Sequence, residues 1–333
     1  MSGILSIPHR KSHGLCPVNG IRDLIQWRTG RDWTNEFVYG LGQGGGFAYL
    51  RFNAADPPRQ VYWGVAGPRQ HRYLAELLGA GYTEIENRSF KFSWNKAREM
   101  LEAGTPPVIG PLDMFYLPFY EGIYHKRHIP IHYLLLVGYD EQKIYVLDTG
   151  QDEVQELLLD ELQQAWDVNV LGLGKKNRLA AFDFPGDLAP TADIVHKAIA
   201  DLCQTMLHPP VSMVGIPAMR KVAKEIVHWQ EELGEQVGAC LRQVLEYLNS
   251  PPDIEGDHLT AGRHIYIRFL QEAGEKAGLD FSEPENLFGE TIASLPDLAE
   301  TIRKKNLVEA GACFDQIAVV EEKAFSILEE MAG

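Results

Sequence analysis

The chain has 333 residues, of which 45% are hydrophobic and 23% are charged, and its formal net charge is −15 at pH 7. This length suffices for two domains with sizeable cores, and no apolar run approaches the roughly 18 residues of a membrane span. The negative charge argues against nucleic acid as a partner of the chain as a whole.

The start of the chain and its cysteines indicate the compartment. Residues 1–11 lack the long apolar core of a secretory signal, so the sequence predicts a cytoplasmic protein. The cysteines Cys16, Cys203, Cys240 and Cys313 lie far apart and show neither CxxC nor Cys/His ligand spacing. We therefore expect free thiols, with no disulfide framework, no metal and no cofactor.

Helices and strands are mixed up to about residue 184. Apolar spacing and capping residues predict helices over 17–28, 34–39, 69–78, 95–103 and 160–166. β-Rich runs predict strands over 47–52, 60–65, 107–111, 131–139 and 143–147. This mixture is typical of the α+β class.

From residue 191 onward the pattern is helical. Breaks at 209–217, 249–257 and 281–289 divide it into helical stretches over 191–207, 218–248, 259–278 and 291–331, the last with a further break near Gly311. Residues 187–333 also carry 25 Asp and Glu against 12 Lys and Arg. The changes in pattern and charge predict two domains, 1–186 and 187–333, of which the second is all-α and acidic.

Cys16 is the first candidate functional residue, in the stretch SHGLCPVNGIRDLIQW (12–27). Pro17 suits the first position of a helix because it has no N–H to leave unpaired, which predicts Cys16 at the N-cap. There, backbone N–H groups and the positive end of the helix dipole favour the thiolate, the nucleophilic form of cysteine. The alternative is a buried cysteine that only fills space.

The stretch IPIHYLLLVGYDEQKIYVLDTG (129–150) predicts a β-hairpin with its turn at residues 140–142. His132 begins the first strand and Asp148 follows the second, so we expect them to be neighbours. A two-residue turn would put their side chains on opposite faces, so their pairing requires an odd-length loop or a β-bulge. A carboxylate beside an imidazole fixes its tautomer and stabilises the imidazolium, although either residue alone is more often structural.

Together, Cys16, His132 and Asp148 form the arrangement by which a Cys/His pair gains nucleophilicity. Their order and local sequences resemble the papain-like superfamily, in which the nucleophile caps a long helix and the histidine lies on a later strand. The stretch HYLLLVGYD…IYVLDTG is similar to the corresponding segment of the bacteriocin-processing-peptidase-like branch.

A closer resemblance, to the butirosin biosynthesis protein H family, covers nearly the whole chain. CPVNGIRDLIQWRTGRDWTNEFVYGLGQGGGFAYLRF and the hairpin look like the N-terminal domain of that family, and GIPAMRKVAKEIVHW and AGRHIYIRFLQEAG are similar to its helical domain. The resemblance implies a papain-like domain, with an N-terminal helix packed on an antiparallel sheet, followed by an all-α domain. It also implies an acyltransferase that moves an acyl group from an acyl carrier protein, or another thioester, to an amine of an aminoglycoside-type acceptor. Cys16 would be the nucleophile, His132 the base and then acid, and Asp148 the orienting group.

Other motifs have simpler interpretations. GLGQGGG (40–46) matches GxGxxG, but a dinucleotide site needs a preceding strand and a following helix, the reverse of the order predicted here. The glycines are expected to allow close backbone approach or positive φ. The cationic loop YEGIYHKRHIP (120–130) and the basic patches 175–178 and 303–305 could contact an acidic carrier protein or simply be solvated. The role of His13, close to Cys16, is left open.

The sequence leaves three functions open. The preferred one is a cysteine-dependent acyltransferase, with an acyl thioester as donor, a cationic amine small molecule attracted by the acidic C-terminal region as acceptor, and backbone N–H groups at the helix start as oxyanion donors. A peptidase or amidase would use the same three residues with water as acceptor. A non-catalytic binding module would keep the fold with Cys16 buried and unreactive. Neither nucleic acid nor a membrane is an expected partner, and self-association is left open.

Overall fold

The computed structural model describes residues 3–12, 14–64, 66–249 and 259–332. The chain divides into two compact units: an N-terminal unit of Met1–Val38 and Ala66–Ala189, and a C-terminal unit of Tyr39–Val65 and Pro190–Gly333. Residues 39–65 therefore group with the C-terminal helices. The predicted domain boundary near residue 186 stays a prediction.

The N-terminal unit combines helices with one antiparallel sheet, whose strands do not all follow one another in chain order. Its helices are α1 (Cys16–Thr29), α2 (Asn35–Leu41), which continues into the next unit, α3 (Pro68–Leu77), α4 (Phe90–Glu102) and α5 (Leu159–Trp166). The strands among the described residues are β1 (Phe47–Arg51), β2 (Arg59–Trp63), β3 (Gly81–Ile85), β4 (Val108–Leu112), β5 (His132–Tyr139), β6 (Lys143–Leu147), β7 (Gln155–Leu158) and β8 (Leu179–Asp183). Six of these strands form the sheet of this unit, in the order β3-β8-β4-β5-β6-β7, and every pair in it is antiparallel.

Helices cover both faces of the sheet at β5. A Cβ on Gly20 of α1 would lie 3.0 Å from the Cβ of Leu135, so the glycine lets α1 approach the strand closely. Leu134 and Leu136 belong instead to a core cluster with residues of α4 and α5. Successive strand residues point to opposite faces, which explains why β5 is buried along its whole length and reads as a continuous apolar run.

The predicted elements of this unit are largely present, with three strands missed. β3 and β7 are short edge strands with exposed or half-buried polar residues, so they show little apolar alternation. β8 is a short run between loops, which periodicity alone does not identify. The helix predicted from residue 95 begins at Phe90, because the hydroxyl of Ser89 accepts a hydrogen bond from the Phe92 N–H and caps it there.

Where the structure describes it, the C-terminal unit is helical apart from one β-hairpin. Its helices are α6 (Thr191–Leu207), α7 (Gly215–Glu225), α8 (Trp229–Leu233), α9 (Val237–Leu248), α10 (Arg263–Ala277), α11 (Ser282–Arg303) and α12 (Leu307–Ala332). The hairpin pairs β1 with β2, with Phe47 opposite Trp63. The predicted fold class, α+β followed by all-α, is therefore confirmed. Within the described part of the chain, none of the helices combines the length and apolar character that crossing a membrane requires.

Two predicted helix breaks are wrong. The stretch 281–289 lies almost entirely inside α11, because Pro284 falls in the first turn, where N–H groups have no partner within the helix in any case. Gly311 lies inside α12, where a Cβ would lie 2.6 Å from the Ala223 carbonyl oxygen of α7. Its function is thus close helix packing, and the chain turns instead at residues 304–306.

The glycine-rich stretch 40–46 joins α2 to β1, the reverse of the order in a dinucleotide fingerprint. A Cβ on Gly40 would overlap the ring of Phe269, and one on Gly45 would lie 2.9 Å from side-chain atoms of both Leu202 and Tyr266. These glycines are therefore required for close packing within the C-terminal unit.

A buried ion pair joins two helices of the same unit. Arg263 of α10 donates two hydrogen bonds to the carboxylate of Glu321 in α12, at 2.6 and 2.8 Å. Both side chains are fully buried. Such a pair is tolerated in a core because each charge neutralises the other and their hydrogen bonds are largely satisfied.

Candidate active site

A β-bulge puts His132 and Asp148 on the same face of the sheet. Near the hairpin turn Tyr139 pairs with Ile144, but beyond a register shift between Leu136 and Gly138 the pairing becomes Leu135 with Leu147. That shift moves Asp148 from a position opposite residue 135 to one opposite residue 134, which has the same parity as 132. The bulge that this pairing required is therefore present.

Asp148 is fully buried and its carboxylate is fully engaged. One oxygen, Oδ2, is hydrogen-bonded to Nε2 of His132. The other, Oδ1, accepts hydrogen bonds from the hydroxyl of Tyr120 at 2.6 Å and from the N–H of Gly150 at 2.7 Å. Burial favours the neutral acid, but the His132 charge and these hydrogen bonds outweigh it and hold the pKa of Asp148 below its usual value.

His132 lies between Asp148 and Cys16. Its side chain is 6% exposed, and Cys16 is near enough to favour the imidazolium. Burial disfavours the imidazolium, but Asp148 and Cys16 together overcome it and raise the pKa of His132 to about 10. The site therefore stabilises a protonated His132 at neutral pH.

Helix α1 begins at Cys16, one residue earlier than predicted. Cys16 is therefore the first helical residue and not the N-cap. Leu15 is the N-cap, and both Gly14 and Leu15 have left-handed backbone conformations, with φ of 68° and 60°. Pro17 is therefore the second helical residue, which it tolerates because first-turn N–H groups need no partner within the helix. A left-handed leucine costs roughly 1–2 kcal/mol, and residues of this kind cluster at functional sites.

Cys16 is half-buried, and its Sγ lies 3.9 Å from the carbonyl oxygen of Ile131. The N–H groups of Val18 and Asn19 both donate to the Leu15 carbonyl oxygen, at 3.0 and 3.2 Å. These two donors are thus used within the first turn. The predicted oxyanion role of the helix start stays a prediction for the N–H of Cys16.

His71 of α3 supports the start of α1, and no local signal in the sequence identifies it. It is fully buried, and its Nε2 lies 2.8 Å from the carbonyl oxygen of Pro17, so Nε2 carries the proton and donates it. Its Nδ1 then accepts a hydrogen bond from Arg178 at 3.2 Å. Burial and the charge of Arg178 lower the pKa of His71 to about 3, so the ring is neutral.

The basic patch predicted at residues 175–178 is not a uniform surface. Arg178 is fully buried, and its Nε donates to the Glu84 carboxylate at 2.9 Å. Within the cationic loop 120–130, exposed His128 pairs with Asp113 at 2.6 Å, whereas Tyr120 contacts Asp148. The sequence pattern did not identify Tyr120, at the start of that loop, as a site residue. His13 lies outside the described residues.

Two family models match the chain. One, described as "Butirosin biosynthesis protein H, N-terminal", matches residues 15–149, a range that includes Cys16, His132 and Asp148. The other, described as "Domain of unknown function (DUF4872)", matches residues 160–328, about half of the chain. No curated protein matches the chain.

Proposed function

The chain belongs to the butirosin biosynthesis protein H family, as its sequence predicted, and we propose that it is a cysteine-dependent acyltransferase. Membership of this family indicates an enzyme of biosynthesis. The donor is an acyl thioester, such as an acyl group on a carrier protein, and the acceptor is an amine of a cationic small molecule. The acyl group passes through a thioester on Cys16.

One observation carries this proposal: the His132 imidazole is hydrogen-bonded to the buried Asp148 and is near enough to Cys16 for the two to favour each other's charged form. An imidazolium beside the sulfur favours the thiolate, and the buried carboxylate of Asp148 holds the imidazole and its charge in place. Such a thiolate attacks thioesters readily. A cysteine that only filled space would not need a charged histidine as its neighbour.

In the first step the Cys16 thiolate attacks the carbonyl carbon of the thioester. The C–S bond to the donor breaks, and the departing thiolate takes the proton of the His132 imidazolium and leaves as a thiol. The products are an acyl-enzyme and a neutral His132. In this proposal the N–H of Cys16 at the helix start donates a hydrogen bond to the developing oxyanion.

In the second step a neutral amine attacks the acyl-enzyme. His132 accepts a proton from the attacking nitrogen, the C–S bond to Cys16 breaks, and the thiolate–imidazolium pair is restored as the amide leaves. Residues 187–333 carry 25 acidic and 12 basic residues. This charge attracts a cationic acceptor over long range at low ionic strength.

Intact-protein mass spectrometry after incubation with small acyl thioesters tests the proposal. We expect an acyl adduct on the native protein that Cys16→Ala lacks. Cys313→Ala is the matched control, because Cys313 is also a half-buried free cysteine, and it should acylate like the native protein. Adding an aminosugar amine should convert the adduct into an amide product.

The outcomes separate the alternatives. An adduct that persists in Cys16→Ala would rule out Cys16 as the nucleophile. Release of the free acid at the same rate with and without the amine would indicate a hydrolase. Absence of an adduct with every thioester, although Cys16 reacts with iodoacetamide, would reject acyl transfer from thioesters.

A further inference from the structure

The N-terminal segment, residues 3–12, contacts both features that position Asp148. The N–H of Leu5 donates to the carbonyl oxygen of Val137, at the bulge in β5, at 2.8 Å. The N–H of Ser12 donates to the carbonyl oxygen of Thr149, directly after Asp148, also at 2.8 Å. His9 lies between these two attachments.

His9 donates a hydrogen bond into the turn that begins at Asp148. Its Nε2 lies 2.9 Å from the carbonyl oxygen of Gln151 and 3.1 Å from that of Asp148. Both partners are acceptors only, so Nε2 must carry a proton. The N–H of Gln151 also donates to the Asp148 carbonyl oxygen, at 3.2 Å. His9 therefore closes this turn from outside.

The other nitrogen of the same ring contacts α1. Nδ1 of His9 lies 2.7 Å from Oδ2 of Asp23, and the two side chains are 5% and 0% exposed. Asp23 follows Cys16 by about two helical turns. Burial opposes a charge on His9, but the carboxylate of Asp23 outweighs both burial and the nearby Arg22 and raises the pKa of His9.

We propose that His9 is a positioning residue that clamps helix α1, which carries Cys16, to the turn that carries Asp148. Contacts lead from Asp23 of α1 to His9, from His9 to the Asp148 turn, and from Asp148 to His132, which is near Cys16 at the start of the same helix. Contacts of this kind hold the sulfur, imidazole and carboxylate in register, although His9 touches none of the reacting atoms. The proposal rests on the proposed function in one respect: the aligned sulfur, imidazole and carboxylate are the groups that carry out acyl transfer.

Two substitutions separate the two ends of the clamp. In His9→Gln the side-chain amide nitrogen takes a position near Nε2 and can still donate to the turn. In His9→Asn the shorter side chain keeps a donor near Nδ1 for Asp23 but does not reach the turn. His128→Asn is the matched control, because it makes the same change in a His–Asp pair of similar length, 2.6 Å from Nδ1 of His128 to Asp113, that does not contact Asp148.

The measurements are the rate constant for alkylation of Cys16 by iodoacetamide, followed by peptide mass, and the pKa of His132 from its NMR titration. We expect His9→Asn to slow alkylation about 10-fold, the low end of the effect of losing a residue that orients a functional group. The measured pKa of His132 should fall at the same time. His9→Gln should stay within about threefold of the native rate. His128→Asn should react at the native rate.

A native alkylation rate and a native His132 pKa in folded His9→Asn would overturn the proposal. If His9→Asn does not fold, His9→Gln decides, because a folded glutamine variant that loses 10-fold in rate contradicts a role through the turn. Alkylation needs no acyl substrate. An alkylating native protein that forms no acyl-enzyme therefore rejects the proposed function and leaves the clamp standing, whereas an acyl-enzyme that forms equally fast in His9→Asn rejects the clamp alone.

Discussion

Replacing Asp148 with asparagine tests the electrostatics of the site most directly. The site raises the pKa of His132 from 6.5 to about 10, which corresponds to about 5 kcal/mol in favour of the imidazolium. Burial is the largest single influence and acts against that charge, and Asp148 is the largest influence acting for it. In Asp148→Asn, burial is opposed by Cys16 alone, so we expect the pKa of His132 to fall to its ordinary value or lower.

The assay combines an NMR titration of His132 with the pH dependence of acyl transfer. In the native protein the activity should persist at alkaline pH and decline only as the pH rises through about 10, where His132 loses its proton. In Asp148→Asn that decline should begin near or below pH 6.5. Activity at neutral pH should fall on the order of 10⁴-fold, as when the carboxylate of a Ser-His-Asp triad is replaced by an amide.

Asp113→Asn is the matched control. Asp113 also pairs with a histidine and also accepts backbone hydrogen bonds, but its partner is the exposed His128. The Asp113→Asn variant should therefore leave the pKa of His132 unchanged. A native His132 that titrates near 6.5, or a His132 pKa in Asp148→Asn equal to that in the native protein, would contradict the electrostatic role of Asp148.

Three further predictions concern other contacts. Tyr120→Phe removes one of the hydrogen bonds to the carboxylate of Asp148 and should lower kcat about 10-fold without raising KM. An unchanged kcat would show that Tyr120 has no role in catalysis. His71 has a pKa lowered to about 3, below its unfolded value of 6.5. Between pH 3 and 6.5 the unfolded state therefore binds a proton that the folded state does not. The stability that neutral His71 contributes is present above pH 6.5 and is lost as the pH falls toward 3, at up to about 1.4 kcal/mol per pH unit. In urea unfolding, the free energy of unfolding of His71→Gln should fall less steeply with decreasing pH than that of the native protein, and equal slopes would contradict this. Glu321→Ala leaves Arg263 buried without its partner and should lower the unfolding free energy by about 3–5 kcal/mol, whereas Glu322→Ala, which breaks a half-exposed pair, should change it by less than about 1 kcal/mol; equal losses would contradict the role of burial.

Local patterns in the sequence determined the main elements around the site. The strand over 143–147 and the helix over 191–207 are present with the predicted bounds, and the strand predicted over 131–139 begins one residue later. Helical and strand periodicities and turn residues are properties of neighbouring residues, so they can be read without knowing the fold. The same holds for the order Cys16, His132, Asp148 and for the resemblance to the family.

Tertiary contacts select the face of the sheet on which Asp148 lies. The hairpin sequence allows both registers, and Gly138 is compatible with the bulge near Val137 but does not by itself select that register. In the structure the carbonyl oxygen of Val137 is satisfied by Leu5, more than a hundred residues away in sequence. A contact of such separation leaves no periodic trace in the hairpin itself.

The supporting residues follow the same division. Cys16 was identified because cysteine followed by proline and an amphipathic helix is a local pattern. His9, His71 and Tyr120 act through hydrogen bonds to groups between 14 and 142 positions away, and at each of them the local sequence is ordinary. Local sequence thus specifies which elements form and which side chains carry the chemistry. The packing of distant segments sets the register, burial and charge of those side chains, because these properties depend on neighbours that are brought together only in the folded chain.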